Sequence, residues 1–329
     1  MNTLDETYDN CFDSFKKRIM TLSEKAWESR IMWSDVENWL TNFNGLTGNT
    51  IEQEKLHALF ILSEFLYFGS KQIRTLLHAL YRDLFLIPLI QEIRDKNNTI
   101  NIEEIKYFLT KELEKTRFLG IGNPSESGMH LLYYFRQENN LPLSNFMDVA
   151  DIFKTKKNSD GSYKKDLTNR RVLRYVFIDD ICGSGKKAIK YSKNVLSEIK
   201  EYNNKINFYY LTLFGTKTGL DEVRKKTVFG QNSIAIFELD STYKILSRDS
   251  RYIPDEKSLI NIDIVSNIIK LYGLKLWRKH PCGFRDNQLV LGMHHNIPNN
   301  TIPIIWYESE TSNWIPIFKR YTMIERIEI

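Results

Sequence analysis

Apolar residues recur at spacings of three and four from about Leu4 to Glu114, in FDSFKKRIMTLSEKAWESRIMW and again in LHALFILSEFLYFGSKQIRTLLHALYRDLFLIPLI, with the polar turn FNGLTGN between them. That period predicts helices. The second stretch is apolar on nearly every side, as for a helix buried against neighbours. His57 and His78 lie on these helices and are expected as core or boundary residues rather than ligands. Near Arg117 the texture changes. RFLGI reads as a short strand, GNPSESG as a loop and MHLLYYFRQ as a helix. The run Lys154 to Arg174 carries eight basic residues against two aspartates around a DGS turn and is expected as a solvated, mobile loop. Beyond it VLRYVFI is apolar throughout, as for a central parallel strand covered on both faces. A helix from Lys187 to Tyr202, the strand NFYYLTLFG, a helix starting near Leu220 and the strand SIAIFEL complete an alternation of strands and helices. The expected fold is α/β, a Rossmann-like parallel sheet preceded by an α-helical region. The expected segments are 1–115, 116–255 and 256–329.

With 329 residues, 42% of them hydrophobic and 26% charged, the chain can bury a sizeable core, and its length suggests two domains. A formal net charge of +5 permits a phosphate-rich partner without requiring one. Three scattered cysteines, Cys11, Cys182 and Cys282, fit neither a disulfide framework nor a C-x-x-C metal site, which favours a reducing cytoplasm. The polar, acidic start MNTLDETYDN has no signal-peptide pattern. Apolar runs such as Leu84 to Ile90 are too short to span a bilayer, so no membrane association is expected.

The densest chemistry is VFIDDICGSGKKA, Val176 to Ala188. It falls at the carboxyl end of a predicted strand, where ligands of open α/β sheets bind. The amides that open the following helix carry partial positive charge and suit a phosphate. Gly183 and Gly185 let the backbone close round an anion, Ser184 adds a hydroxyl, and Lys186 or Lys187 adds a charge. A Walker A loop would need glycine at 180 and a hydroxyl at 187, where Asp180 and Lys187 stand. The dinucleotide fingerprint fails too, because Ala188 occupies its third glycine position. Asp179 and Asp180 offer acceptors that match the two donors of a vicinal diol. A ribose 5-phosphate therefore suits the stretch. Helix capping or direct metal binding by the acidic pair are the alternatives.

IDDICGSGKKA resembles the phosphoribosyl pyrophosphate (PRPP) signature of type I phosphoribosyltransferases. That resemblance implies that Asp179 and Asp180 hold the ribose hydroxyls and that Cys182, Gly183, Ser184, Gly185, Lys186 and Lys187 bind the 5-phosphate. It further implies a pyrophosphate loop at Gly122, Asn123, Ser125, Glu126, Ser127 and Gly128, Mg²⁺ carried with the pyrophosphate, and closure of the basic run over the site. Two departures stand out. Gly183 occupies a place where purine-salvage members often have an acid, and Lys187 replaces the last hydroxyl. GNPSESGMHLLYYFRQENNLP and Gly283 to Trp306 look like a branch of phosphoribosyltransferase-like proteins from bacterial conflict systems, some encoded beside retron reverse transcriptases. That likeness implies a toxic effector in antiphage defence, held silent by a reverse transcriptase and its non-coding RNA or DNA.

In HHNIPNNTIPIIW, Pro298 and Pro303 argue for a shaped loop entering a short strand. His294 and His295 are candidates for proton transfer, and Asn299, Asn300 and Trp306 for contact with a base. Asparagines satisfying their own turn are the plainer alternative. Cys282 with the two histidines lacks a fourth zinc ligand, so no protein-held metal is expected. Three functions remain open: phosphoribosyl transfer or its reverse, base removal; a pocket that senses PRPP or a nucleotide without turnover and docks a partner protein; and an effector acting on nucleic acid.

Overall fold

The computed structural model describes residues 3–121, 127–157, 159, 161–253, 259–308 and 313–320. In chain order the elements begin with α1 (Thr3–Lys25), α2 (Trp33–Leu40), α3 (Ile51–Ser63), β1 (Leu66–Phe68), α4 (Ser70–Tyr81), α5 (Ile87–Asn97), α6 (Ile102–Glu114), β2 (Thr116–Gly120) and α7 (Ser127–Glu138). There follow β3 (Phe153–Lys157), β4 (Tyr163–Leu167), β5 (Arg174–Cys182), α8 (Lys186–Tyr191), α9 (Ser197–Tyr202), β6 (Asn207–Thr216), α10 (Lys217–Lys226) and β7 (Ser233–Leu239). The last are α11 (Ile262–Leu276), β8 (Leu291–Met293) and α12 (Pro303–Trp306).

These elements form two units, Met1–Ile73 with Asp240–Ile329, and Arg74–Leu239. The division cuts across the three sequence segments. The amino-terminal helices are not one body: α1 to α3 share a core with α11 and α12, whereas α5 and α6 belong with the large sheet. Contacts between residues more than 200 positions apart leave no local periodicity to read.

In the second unit, strands β2, β5, β6 and β7 form one parallel sheet in that order. Phe118, Val176 and Tyr209 are register partners, as are Leu119, Phe177 and Tyr210 one residue later. Successive side chains alternate between faces. On one face Phe85 meets Phe118 at 5.3 Å and Tyr209 at 6.0 Å, and Phe135 of α7 lies 5.2 Å from Phe118. On the other, Phe177 meets Tyr191 at 5.4 Å and Phe229 at 5.7 Å. Cover on both faces is why β5 is apolar at almost every position. The helical path of α4 and α5 passes through a π-turn at Arg82–Leu86, just before Pro88. Proline lacks an amide donor and crowds the carbonyl four residues back, and the wider turn accommodates both defects.

The basic run is a correction to the expected loop. β3 and β4 pair antiparallel from Phe153 opposite Leu167 to Lys157 opposite Tyr163. Gly161, at φ +85°, lies between the two strands. The hairpin is anchored at its base, where Leu167 is buried and Phe153 packs on Tyr202 at 5.4 Å. Lysines occupy its exposed outer part.

In the first unit, β1 and β8 pair in parallel with Tyr67 opposite Gly292. The core gathers Trp27, Trp39 and Phe43 from the amino-terminal helices with Tyr272 and Ile304 from the carboxy-terminal part. Trp39 donates its indole N–H to the Ile304 carbonyl at 2.9 Å. The periodicity reading assigns no element to residues 256–290, yet Ile262–Leu276 form a fifteen-residue helix capped by Asn261. The expected short strand after Pro298 is instead one helical turn, Pro303–Trp306, with proline at its start, where no amide donor is needed. Among the described residues, no helix is long and apolar enough to cross a membrane.

Glu54, fully buried in α3, ties this unit together. Its carboxylate accepts from the amides of Gly45 (2.8 Å) and Thr47 (2.7 Å), from the Thr47 hydroxyl (2.6 Å) and from the Tyr272 hydroxyl. It thereby fixes the FNGLTGN turn against α11. Burial pushes its pKa up, but the hydrogen bonds outweigh burial and hold it below the usual glutamate range. Glu54→Gln is expected to cost about 1.5–3 kcal/mol, read as a lower urea midpoint at pH 7. Because the folded pKa is lowered, the wild-type advantage is present above the unfolded value of about 4.3 and fades as pH falls through the folded pKa. An advantage that persists unchanged into strong acid would contradict this role.

Candidate functional site

Strand β5 ends in Asp179, Asp180, Ile181 and Cys182, and the turn Gly183 to Gly185 leads directly into α8. Gly185 has φ +70°, a conformation that favours glycine, and it opens the helix without a side chain to cap the first amides. Those amides therefore point a partial positive charge out of the turn. Lys186 and Lys187 are exposed and Ser184 is half-buried.

A second glycine holds the turn in place. The Thr216 hydroxyl, which caps α10 by accepting from the Gly219 amide at 3.0 Å, also donates to the Gly183 carbonyl. A Cβ on Gly219 would lie 2.3 Å from the Gly183 oxygen, and one on Gly185 would lie 2.7 Å from the Gly219 oxygen. The two backbones touch, with no room for a side chain between them. Thr216 and Gly219 were not among the sequence candidates. Their signal was a hydroxyl N-cap at the carboxyl end of the next parallel strand.

Asp179 and Asp180 are neighbours at the end of one strand, and their carboxyl groups interact, Asp180 acting on Asp179 by charge and through a side-chain hydrogen bond. Both are in the interior, Asp179 at 1% and Asp180 at 5% exposure. Asp179 Oδ1 accepts from the Asp180 amide at 3.1 Å and faces the Lys187 ammonium at 3.4 Å, while Oδ2 accepts from the Tyr210 hydroxyl at 3.0 Å. Both Asp179 oxygens are thus engaged, one by Lys187 at the helix start and the other by Tyr210 of β6. Asp180 Oδ1 accepts from the Ile181 amide at 2.8 Å. Burial pushes the Asp179 carboxyl up to about 7, against the pull of the Lys187 charge. It also pushes the Cys182 thiol up to about 12, so this cysteine is a thiol at neutral pH and no nucleophile.

Of the expected pyrophosphate loop, Gly122, Asn123, Ser125 and Glu126 lie outside the described residues, and Ser127 and Gly128 open α7. Strand β2, which leads to that loop, pairs with β5, Gly120 standing opposite Ile178. Both connections leave the same end of the sheet.

His294, His295, Asn299, Asn300 and Trp306 belong to the other unit. Trp306 is 5% exposed and donates its indole N–H to the Thr301 carbonyl at 2.8 Å, so it is a core residue with no face to offer a base. The carbonyls of Asn299 and Asn300 accept from the amides of Phe284 (2.8 Å) and Leu289 (3.2 Å), which makes them braces of a buried loop. His57 is likewise structural. Its Nδ1 lies 2.7 Å from the Gln53 carbonyl, Nε2 accepts from the Asn261 amide at 3.0 Å, and burial lowers its pKa.

A parallel α/β sheet with a glycine turn at the carboxyl end of a central strand defines a type I phosphoribosyltransferase-like core. The chain belongs to the PRTase-CE family, whose model matches residues 36–320. Among solved structures it is similar to the Helicobacter pylori xanthine-guanine-hypoxanthine phosphoribosyltransferase, with 14% identity over 41% of this chain and 82% of that one and a TM-score of 0.22. It is also similar to the Trypanosoma brucei adenine phosphoribosyltransferase in complex with AMP, pyrophosphate and ribose-5-phosphate, with 15% identity over 53% and 70% and a TM-score of 0.25. No curated protein sequence matches it.

The raised Asp179 pKa has a measurable sign. Between about pH 4, where an unfolded aspartate titrates, and pH 7, the folded chain holds a proton that the unfolded chain has lost. Wild-type stability therefore declines over that window and levels off above it. Asp179→Asn is expected to gain on wild type by about 1 kcal/mol or more between pH 5 and pH 8 in urea unfolding. Parallel profiles would show that the carboxyl is not strained by burial.

Proposed function

We propose that the turn from Cys182 to Lys187 binds the 5-phosphate of PRPP or of a nucleotide, and that the chain acts in the phosphoribosyltransferase class. The observation that carries this reading is the uncapped helix start at Gly185, braced from behind by Gly219 and Thr216. A helix start without a side-chain cap offers its first amides to an anion. Of the two acids, Asp180 is assigned here to a ribose hydroxyl, with Asp179 bonded to Tyr210 and Lys187 beside it. Displacement at C1 breaks the bond to pyrophosphate, which leaves with the electron pair, while an acceptor atom or water bonds to the oxocarbenium-like carbon. For that step the protein mainly positions the ribose and excludes water.

Among the described residues, no group of three or more His, Cys, Asp and Glu side chains is placed to hold a metal ion. In the proposed site Mg²⁺ would arrive as a complex with pyrophosphate, in keeping with its habit of binding phosphates plus one or two carboxylates. It would screen the charge of the leaving group. The basic hairpin β3–β4 is a candidate cover for that charge.

The resemblance to conflict-system proteins extends the proposal to a growth-arresting antiphage effector in the cytoplasm, acting on a base, nucleotide or nucleic acid and restrained by a reverse transcriptase with its RNA or DNA. The enclosure of Asp179 favours a second reading, a PRPP or nucleotide sensor without turnover that docks a partner protein, since one of the two signature acids is withdrawn from the ligand.

Calorimetry of the full chain with PRPP and Mg²⁺ tests the binding. Saturable binding is expected, weakened at least about tenfold in Asp180→Asn, the loss of one charge-assisted hydrogen bond. Equal affinity in that variant, or no binding by wild type, would overturn the reading. Pyrophosphate release in the same samples separates transfer from sensing.

A further inference from the structure

The first unit holds a cavity of its own, about 330 Å³, bordered by Arg30, Tyr67, His294, His295, Lys319 and Arg320 among others. That volume is at the lower end of small-ligand sites, roughly 300–1,000 Å³. Its floor is apolar: Tyr67 and Phe318 stack at 5.0 Å, 19° from parallel, and both are nearly buried. Its wall is cationic. Three permanent positive charges, Arg30, Lys319 and Arg320, face one carboxylate among the described lining residues, Glu308, which Lys319 engages at 3.2 Å.

The cavity opens where the parallel strands β1 and β8 end. The His294 amide donates to the Phe68 carbonyl at 2.9 Å, which carries the pairing one step past β8, and the two imidazoles meet edge to face at 4.9 Å. Arg30 is set by an unusual backbone. Glu28 and Ser29, immediately before it, have φ values of 55° and 54°, a left-handed pair without glycine. Such conformations persist only where the surroundings over-determine them, and they concentrate at ligand sites. Here the Arg30 amide is bonded to the Trp27 carbonyl at 3.0 Å, and the Ser23 hydroxyl holds the Ile31 carbonyl at 2.7 Å. The nearby Glu28 carboxylate is turned onto backbone, accepting from the Lys71 amide at 3.0 Å. A Cβ on Gly69 would lie 2.6 Å from that side chain, so glycine is needed for it to sit there. Glu28 still acts by charge on His294 and Tyr67, so two carboxylates, Glu28 and Glu308, stand against Arg30, Lys319 and Arg320, and the described surroundings of the cavity keep a net positive charge.

We propose that this cavity binds the phosphate group of a small phosphate monoester of mononucleotide size, at a site separate from the PRPP turn. The guanidinium groups of Arg30 and Arg320 match the geometry of phosphate oxygens, Lys319 adds a third charge, and the imidazoles of His294 and His295 add donors. The proposal reassigns the two histidines from proton transfer at the phosphoribosyl site to phosphate recognition in the first unit.

AMP is the probe, titrated into the full chain while the methyl resonance of Met293, a lining residue, is followed by NMR. The Met293 signal is expected to shift saturably, with a midpoint at least tenfold higher in Arg30→Gln/Arg320→Gln and several-fold higher in Lys319→Gln. The Lys319 side chain is 73% exposed, so the single variant keeps the fold even if the double variant does not. PRPP affinity should be unchanged in Lys319→Gln, which makes failure here distinguishable from failure of the PRPP reading. A Met293 signal unmoved by AMP, or one moving with the same midpoint in wild type and Lys319→Gln, would overturn the proposal. So would movement with a single-stranded oligonucleotide but not with AMP.

Discussion

The backbone of Gly219 touches the backbone of Gly183 and Gly185, and the geometry of the proposed phosphate turn depends on that contact. A single carbon on Gly219 would come within 2.3 Å of the Gly183 oxygen, closer than atoms approach. The contact fixes where β5 stops, how sharply the chain turns and the direction in which the first amides of α8 point. Thr216 secures it from the neighbouring strand by serving two backbones with one hydroxyl. An anion seat made of backbone is only as well defined as the packing behind it. In this chain that packing is glycine on glycine.

Electrostatics follow from the same architecture. Asp179 lies in the interior, where burial raises its pKa and Tyr210 and Lys187 enclose it, and the neighbouring Asp180 carboxyl acts on it by charge and hydrogen bond. Both members of the acidic pair are buried, and in the proposed site Asp180 is the one assigned to the ligand. The lysine that replaces a hydroxyl at 187 has a partner in the structure, so the departure from the signature and the withdrawal of Asp179 are two sides of one interaction.

Much of the second unit was legible in the sequence because a parallel sheet covered on both faces writes long apolar strands, and because closely spaced glycines at a strand end mark a tight turn into a helix. The engagement of Asp179 was not legible, because its partner Tyr210 lies 31 residues away on the next strand. The hairpin β3–β4 escaped because its outer part is solvated lysine and only Phe153 and Leu167 anchor it. The first unit was least legible. Its core joins Trp39 to Ile304 and Glu54 to Tyr272 across more than 200 residues, and no local pattern announces such a pairing. For the same reason Trp306, which as a sequence symbol suits base stacking, proved to be buried.

The central claim is that backbone amides between Ser184 and Ala188 form the phosphate seat. Amide NMR of the full chain during addition of PRPP with Mg²⁺ tests it directly. The account predicts that the largest shifts fall on those amides and on Gly219 behind them. Saturable binding that leaves these amides unmoved would contradict it.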